Sequence, residues 1–539
     1  MLQPKFVFSR VKKFVAFLTV IIFANITLLA SAELGAHSEE PSDQLIGWKS
    51  EEIFTGAASS RIRIQTEAGD DKNSILPVYE VCRSFQEAPC LEAYSKPTDA
   101  RLLLPHCKSK SESWCIESLF VGRKDKPIKQ AKFVRQVKGV TTDSNSKLGY
   151  PRGSTISLWD VSESSNLGGV TSYAAYVQIR MARFPDVFPL STRNGATLTA
   201  AIFPYREITD FQSPKMVSYR GISIQATNNS VQGRKFEIVG GDVDCVWTED
   251  SKCGVIENFP SDSVAGIRLR VDSSLAGWLM GRLGNPQVKV VKIDDQTSTL
   301  EVTAEPLQVP KLFVAVSKNQ FTQKLRDTFT EDGYGIQDPQ GISQISNADP
   351  GIFEIIDSWR DVAKDTNAGL STAWNFYSVT GGGGSKCLLN PKGLQGIVAT
   401  NAMAYDGFAP SFKDGALVYQ VASFHNNLDG TEFTGTYNLI ISRKVANCLY
   451  DLQNFPVSAS VSILRDDKQD LEIASTSFSQ IGKGEDSWLR VNVEGFTFSA
   501  PQIRVKFSKK ILSITCQKGS VIKKVSNASG KCPKGFKKR

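Results

Sequence analysis

The sequence predicts a mainly β protein, with two or three β-sandwich-like domains, a small helical segment and disulfide staples. Short runs of alternating apolar residues separated by turns, one run at helical spacing, and ten cysteines predict this class. The length of 539 residues exceeds one ordinary domain. A hydrophobic content of 41% with 22% charged residues is globular and excludes a disordered, collagen-like or polytopic membrane protein.

The first 32 residues have the features of a signal peptide. Four basic residues and no acidic residue precede an apolar run over residues 14–29, which is followed by Ala30-Ser31-Ala32. A basic start, an apolar centre and small residues at the end are typical of a cleaved signal. The run is shorter than the roughly 20 residues that a membrane-spanning helix needs. We therefore expect a mature chain from about residue 33 that is secreted, extracellular or cell-surface associated, with no transmembrane segment.

Composition and periodicity divide the mature chain into five segments. They are an N-terminal leader at 33–75, a β-rich region at 76–310 that holds three C-x7-C pairs, a mixed segment at 311–380 with a helix near 350–365, a β-sandwich-like domain at 381–505, and a basic C-terminal tail at 506–539.

The strand predictions depend on apolar residues at every second position. Tyr173–Arg183 and Ile267–Val271 alternate in this way in the first β-rich region, as do Val457–Ile463 and Leu489–Val493 in the second. Period-two alternation indicates strands with one buried face. Turn-forming residues lie between such runs, for example at Asn427–Gly430.

One helix is predicted, after Asp349-Pro350, which can cap a helix and occupy its first turn. Apolar residues then recur at helical spacing and are expected to pack in a core; they are Ile352, Ile355, Ile356, Trp359, Val362 and Ala363. The glycine run Gly381–Gly384 fits either an interdomain hinge or one loose loop.

The ten cysteines fit a disulfide framework, because export places them where disulfides persist. We expect sequential pairing, although 82–115 with 90–107 forms an equally tidy nested pair. The sequential pairs are Cys82–Cys90, Cys107–Cys115, Cys245–Cys253, Cys387–Cys448 and Cys516–Cys532. Zinc sites usually space their ligands two to four residues apart, and neither C-x2-C nor H-x3-H occurs.

Charge is divided between an acidic body and a basic tail. Residues 33–505 have a net charge of −7, whereas residues 506–539 hold eleven basic residues and no acidic one. Such a tail can bind wall polymer, anionic lipid or nucleic acid. For an exported chain we expect an anionic cell-envelope polymer, no nucleic acid, and an unknown ligand or partner for the body. The candidate polyanion-binding residues are Lys509, Lys510, Lys518, Lys523, Lys524, Lys531, Lys534, Lys537, Lys538 and Arg539.

Four acidic residues cluster around Cys245, namely Asp242, Asp244, Glu249 and Asp250. Calcium takes several oxygen ligands from one loop, so this cluster is a candidate structural calcium site. The pattern does not match an EF-hand, and a solvated acidic turn is the simpler interpretation. No other cofactor is expected.

We predict no catalytic residue. His106 adjoins Cys107, which is expected to be bridged, and adjacent residues of a strand point to opposite faces. His425 is followed by Asp429, but no G-x-S-x-G elbow is present, and a polar hairpin explains this pair. Trp278 and Trp488 are candidates for stacking on sugars, with core packing as the commoner role of such residues.

Four segments together resemble a set of large, uncharacterised secreted proteins of actinobacteria. The segments are Trp114–Ser118, Cys245–Arg282, Ala399–Tyr450 and the basic tail. The tail resembles an ending that occurs on many otherwise different exported proteins of that group. The resemblance implies export and a bacterial surface setting, and it brings no functional residues with it.

These observations favour an exported, surface-associated, non-enzymatic binding or structural protein of unknown ligand. Its alternatives are a secreted hydrolase acting on polysaccharide, which needs converging carboxylates, and a surface-layer assembly subunit. Fold class alone does not decide among them.

Overall fold

The structure is a computed structural model that describes most of the chain from Leu45 to Arg539. The described residues are 45–51, 59–67, 78–161 without 94, 110 and 111, 171–183, 196–209, 216–219, 222–225, 230–231, 234–235, 245–317 without 274, 322–328, 341–346, 348, 351–464 without 381, 382, 390 and 454, 475–498 and 502–539. The predicted signal peptide, Asp242, Asp244 and the capping pair Asp349-Pro350 lie outside these residues.

The strands of the first part of the chain are β1 Leu45–Glu51, β2 Arg61–Glu67, β3 Val78–Cys82, β4 Thr98–Leu103, β5 Cys115–Arg123, β6 Lys129–Gln130, β7 Lys132–Gln136, β8 Ser157–Asp160, β9 Ser172–Arg183, β10 Thr197–Ile208, β11 Met216–Tyr219, β12 Ile222–Gln225, β13 Ser230–Val231, β14 Arg234–Lys235, β15 Cys245–Glu249, β16 Lys252–Ile256, β17 Ser263–Asp272, β18 Gly277–Arg282, β19 Gly284–Lys292 and β20 Thr297–Glu305.

The remaining strands are β21 Leu307–Pro310, β22 Phe313–Ser317, β23 Gly341–Ser346, β24 Leu370–Ala373, β25 Asn375–Val379, β26 Leu394–Thr400, β27 Ala404–Tyr405, β28 Ser411–Lys413, β29 Ala416–Ala422, β30 Gly435–Ser442, β31 Val457–Leu464, β32 Ser475–Ile481, β33 Trp488–Phe496, β34 Gln502–Lys509, β35 Leu512–Lys518, β36 Val521–Asn527 and β37 Lys537–Lys538. The α-helices are α1 Gln323–Thr328, α2 Ile352–Trp359 and α3 Arg443–Tyr450, and short 3-10 helices span Ala88–Glu92 and Gly484–Asp486.

A 15-stranded sheet forms the centre of the molecule and takes strands from most of the chain. Its main path is β3-β2-β4-β9-β10-β25-β18-β26-β30-β33-β32, and β7, β8, β15 and β16 pair beside it. Strand β18 is antiparallel to β25 and parallel to β26, which both come much later in the sequence. The predicted boundaries at residues 310 and 380 therefore do not coincide with a boundary between sheets.

The middle strands of this sheet are buried on both faces. Along β18, Leu279 packs into one apolar cluster, whereas Trp278 and Met280 pack into another. Every residue of β18 is buried. Successive side chains of a strand point to opposite sides of the sheet, so the two clusters are separate core layers. Gly396 on β26 lies directly beneath the Trp278 ring, where a side chain has no room.

Two smaller sheets cover the two faces. On one face lies the five-stranded sheet β19-β20-β17-β5-β6, whose Ile267 and Leu269 pack with Leu279. On the other lies the sheet β27-β29-β34-β31 with β28 beside it, whose Ile503 and Val505 pack with Trp278. The architecture is thus three β layers sharing one large central sheet.

The predicted helix near 350–365 is present as α2, which is shorter than predicted. Ile352, Ile355, Ile356 and Trp359 are buried together, as the helical spacing predicted. The helix ends at Trp359, where the Arg360 N–H donates to the carbonyl oxygen of Asp357, and the turns that follow reach Lys364 and Asp365, which have left-handed φ angles of 53° and 50°. Within the residues that the structure describes, no helix is long and apolar enough to cross a membrane.

The mainly β class and the alternating strands are confirmed. Ile179 of β9 and Val271 of β17 face the core as the alternation predicted, and so do Val491 of β33 and Ile463 of β31. All ten cysteines form the five sequential disulfides. The nested pairing of the first four cysteines is wrong.

Candidate functional site

The basic tail forms a small sheet of its own. Strands β36, β35 and β37 pair antiparallel in that order, and the Cys516–Cys532 disulfide joins the middle strand to the loop before β37. Directly opposed residues of antiparallel strands point to the same face. Lys524 lies opposite Thr515, and Lys537 lies opposite Gln517, so basic side chains from both outer strands share the face of Thr515.

The basic side chains of this sheet face solvent without acidic partners. The exposed ones are Lys518, Lys523, Lys524, Lys531, Lys534, Lys537, Lys538 and Arg539. None of them forms an ion pair with any residue that the structure describes, and the segment itself holds no acidic residue. Lys523 lies over the Phe536 ring, 5.6 Å from its centre. The result is a positively charged surface open to an external anion.

The start of the basic segment belongs to the body. Lys506 and Lys509 lie in β34. Phe507 of the same strand is only 1% exposed, in the core layer beneath the sheet β27-β29-β34-β31. Lys509 Nζ lies 3.2 Å from an Asp451 carboxylate oxygen. The tail sheet begins only at Leu512, so a boundary drawn at residue 506 cuts through a core strand.

The described members of the acidic cluster near Cys245 face cations. Arg135 Nη1 donates to Glu249 at 2.7 Å, and Lys138 pairs with Asp250. Burial opposes ionisation of Glu249, but hydrogen bonds from Arg135 and from the Lys138 backbone N–H outweigh it and lower the pKa of this carboxyl. Across the described part of the chain, no group of three or more potential metal-ligating side chains comes together.

His425 has a carboxylate partner, and it is Asp365 rather than Asp429. Asp365 Oδ2 lies 2.5 Å from His425 Nδ1, and Arg360 Nη1 donates to Asp365 Oδ1 at 2.6 Å. Asp429 instead accepts from the Thr431 hydroxyl at 2.6 Å. A carboxylate held on Nδ1 fixes the tautomer and orientation of an imidazole. Sequence gave no signal for this contact because the two residues are 60 positions apart.

His106 and the two tryptophans have mainly structural surroundings. The His106 ring stacks on Phe133 at a centroid distance of 4.2 Å, and its neighbour Cys107 is bridged to Cys115. Trp278 is completely buried, which excludes it from stacking on a sugar. Trp488 is only partly buried, at the start of β33. Of the two tryptophans, only Trp488 remains accessible.

Comparisons with known protein families, curated proteins and solved structures give no match to this chain. Its function is therefore inferred from its own residues and their geometry.

Proposed function

We propose that the protein is an exported, surface-associated, non-enzymatic binding or structural protein, held at the cell envelope by its basic C-terminal sheet. The chemical partner of this sheet is an anionic envelope polymer. The first 32 residues support export, since they have the pattern of a cleaved signal. The five disulfides also support it, because disulfides persist in oxidising compartments.

The observation that supports anchoring most strongly is the separation of charge within one chain. The body has a net charge of −7, so it repels a polyanion, whereas the tail presents exposed cations that have no carboxylate partner among the residues that the structure describes. The disulfide and the strand pairing hold these cations on a small ordered surface. Ordering before binding reduces the entropy lost when a polymer docks.

Binding of this kind is electrostatic and therefore depends on salt. Each neutralised charge on a polyanion releases about one counterion, so affinity falls steeply as the salt concentration rises. At about 0.15 M salt the screening length is about 8 Å, and only polymer in direct contact with the tail is held strongly.

The test is co-sedimentation of the mature chain with purified cell envelope across a salt series. The tail variant replaces six exposed lysines by glutamine, at positions 518, 524, 531, 534, 537 and 538. It keeps Lys523, which contacts Phe536, and it keeps β34 intact. The matched control replaces six exposed body lysines, at positions 126, 132, 147, 289, 392 and 413. Both variants lose the same charge.

We expect the parent and the control to bind and to be released by salt, and the tail variant to lose most of its binding. Equal binding by all three proteins would overturn the anchoring role and place recognition in the body. Absence of binding by the parent would overturn the surface assignment itself.

A further inference from the structure

Four arginines lie together on one face of the first strands of the large sheet. The register sets three of them in a row across adjacent strands: Arg61 of β2 lies opposite Arg101 of β4, which lies opposite Arg180 of β9. Arg63 lies two positions further along β2, opposite Asp99. Directly opposed residues of antiparallel strands point to the same face. We name Arg61, Arg63, Arg101, Arg180 and Asp99 the arginine patch.

The patch occupies the outer part of a sheet face that is covered further in. The alternate residues of the three strands point the other way, into the core layer beneath the first five-stranded sheet; they include Ile62, Leu102 and Ile179. On the patch face, Leu103 at the end of β4 is buried in a separate apolar cluster with Tyr176 of β9. The patch therefore begins where this apolar cover ends.

The guanidinium groups of the patch reach solvent. The side chains of Arg101 and Arg180 are 29% and 52% exposed. Arg61 and Arg63 are partly exposed. The buried nitrogens without a hydrogen-bond partner in the patch are the inner Nε atoms of Arg61 and Arg101. The terminal nitrogens carry the other donors of each guanidinium, so an ion in solution can approach them.

The patch holds more positive charge than its own carboxylate neutralises. Arg180 donates to both oxygens of Asp99, from Nε at 2.8 Å and from Nη2 at 3.3 Å. Arg101 Nε lies 3.7 Å from one of the same oxygens. Arg61 and Arg63 form no ion pair with any residue that the structure describes. With four arginines and one aspartate, the patch has a net charge of +3.

This arrangement is unfavourable without an anion. Like charges that lie directly opposite each other on paired strands destabilise a sheet. Burial lowers the pKa of the Arg61 guanidinium, and the charges of Arg63 and Arg101 lower that pKa further, against a smaller opposing effect of Asp99. Cations that crowd one face with so little compensation favour the binding of an external anion.

We propose that the arginine patch binds a phosphate group, as the free ion or as a monoester. Guanidinium groups donate paired hydrogen bonds to phosphate oxygens, which makes arginine well suited to this recognition. Opposed positions on neighbouring strands lie about 5 Å apart, and alternate positions of one strand lie about 7 Å apart. The long side chains of Arg61, Arg63 and Arg101 can therefore converge on one anion.

The charge of the patch favours phosphate over a carboxylate. A phosphate monoester carries about −1.5 to −2 charges at pH 7 and offers three oxygens, so it offsets more than half of the net charge of +3. A carboxylate carries a single negative charge and offers two oxygens, which leaves more of the repulsion in place.

This inference goes beyond the proposed function, since it assigns the body a ligand of its own. The negative charge of the body as a whole does not prevent binding, because charges further away than about 8 Å are largely screened at about 0.15 M salt. The basic tail also attracts anions, so the test separates the patch from the tail.

The test is isothermal titration of the full mature chain in 0.15 M NaCl at pH 7.5 with three probes: inorganic phosphate, glycerol 1-phosphate and succinate. The patch variants are Arg61→Gln and Arg63→Gln. The matched control is Arg206→Gln, at an exposed arginine outside the patch, which loses the same charge. The tail variant with six glutamines, defined above, is the second control. Circular dichroism and the melting temperature of each variant report whether the fold is retained.

We expect at least one phosphate probe to bind the parent and both controls equally, and to bind each folded patch variant at least about tenfold more weakly. Tighter binding of inorganic phosphate than of glycerol 1-phosphate would identify the free ion as the ligand, and equal or weaker binding of it would identify a monoester. Arg63→Gln keeps the test valid if Arg61→Gln fails to fold.

Absence of binding of both phosphate probes at millimolar concentration would overturn the proposal. Succinate binding as tightly as phosphate would overturn the choice of ligand. Phosphate binding that is unchanged in the folded patch variants and lost in the tail variant would overturn the patch as a site, while leaving the proposed anchoring role of the tail intact.

Discussion

Arg282 provides the strongest test of the packing described above. It lies on β18 with none of its side chain exposed, and its guanidinium donates to the carbonyl oxygens of Thr400 at 2.8 Å, Met403 at 3.2 Å and Ala402. Its cationic carbon lies 4.5 Å from the centre of the Tyr405 ring. These contacts join the central strand β18 to the end of β26 and to the segment that follows it. The perturbation is Arg282→Met, which keeps most of the side-chain volume.

The expected cost follows from the groups that the change leaves unpaired. Each hydrogen bond to a charged group contributes about 1.5–3 kcal/mol, and a buried carbonyl without a partner costs about 1–3 kcal/mol. The carbonyls relax in part, and removing a buried charge recovers desolvation energy. We therefore expect a net loss of about 3 kcal/mol in the free energy of unfolding, which is the low end of the cost of three unpaired carbonyls at about 1 kcal/mol each.

The assay is urea unfolding followed by tryptophan fluorescence, since the buried Trp278 lies on the same strand. The control is Arg268→Met, which removes a partly exposed pair with Glu301 and should cost less than about 1 kcal/mol. A loss below about 1 kcal/mol for Arg282→Met would refute the reasoning, because it would mean that the three carbonyls find other partners at no cost.

Three further predictions follow from the described contacts. Asp365→Asn removes a charged acceptor that bonds to His425 and Arg360, and should lower the free energy of unfolding by about 1–3 kcal/mol. The control Asp429→Asn, at an exposed residue, should change the free energy of unfolding by less than about 0.5 kcal/mol in the same urea assay. Burial lowers the pKa of His106 below its ordinary 6.5, so near and below pH 6.5 the unfolded chain binds more protons than the folded chain, and stability should fall as the pH drops through this range. His106→Gln should flatten this part of a profile of melting temperature against pH. An unchanged profile would contradict the lowered pKa of His106. Replacing Cys516 and Cys532 by serine opens a 16-residue loop and should destabilise the tail sheet by about 3 kcal/mol. Limited proteolysis of this variant should then remove the tail and leave the body intact. A tail as resistant to protease in the variant as in the parent would contradict this prediction.

Alternation predicted the half-buried strands well and the fully buried strands poorly. In β33, Leu489, Val491 and Val493 alternate with polar residues, so their period was visible in the sequence. In β18, Trp278, Leu279 and Met280 are consecutive and buried, because the strand is covered on both faces. A strand of this kind shows a continuous apolar run without a period. The three-layer arrangement was therefore not predictable from alternation alone.

The candidate sites divide in a similar way. The tail was predictable because its charge is a property of one continuous segment. Four of the disulfides were predictable because their cysteines lie at most 16 positions apart. The fifth, Cys387–Cys448, spans 61 positions and was predicted only from pairing the cysteines in order. The contact of His425 with Asp365 depends on chain segments that only the folded topology brings together. The contacts of Arg490 with Pro286 and of Asn492 with Asn285 were missed because Arg490 and Asn492 looked like the ordinary solvent side of an alternating strand.

The boundary of the tail shows how two sequence signals can conflict. Basic composition places the boundary at residue 506, whereas the alternation of Ile503, Val505 and Phe507 continues past it. Those three side chains are buried, and β34 pairs with β31 along its length, so packing determines the end of the strand. Charge is compatible with either side of the boundary, since Lys506 is exposed on the outer face of β34 and Lys509, at the end of the strand, pairs with Asp451.

The short connection between β34 and the tail sheet also gives the molecule a mechanical property. Only Lys510 and Ile511 separate the two elements. If the tail is fixed to a polymer while fluid drags on the body, tension enters along the axis of β34. The hydrogen bonds of β34 to β31 and β29 lie across that axis and are stretched together rather than one after another. The pairing of β34 with its two neighbours would then resist the shear force between the tail and the body.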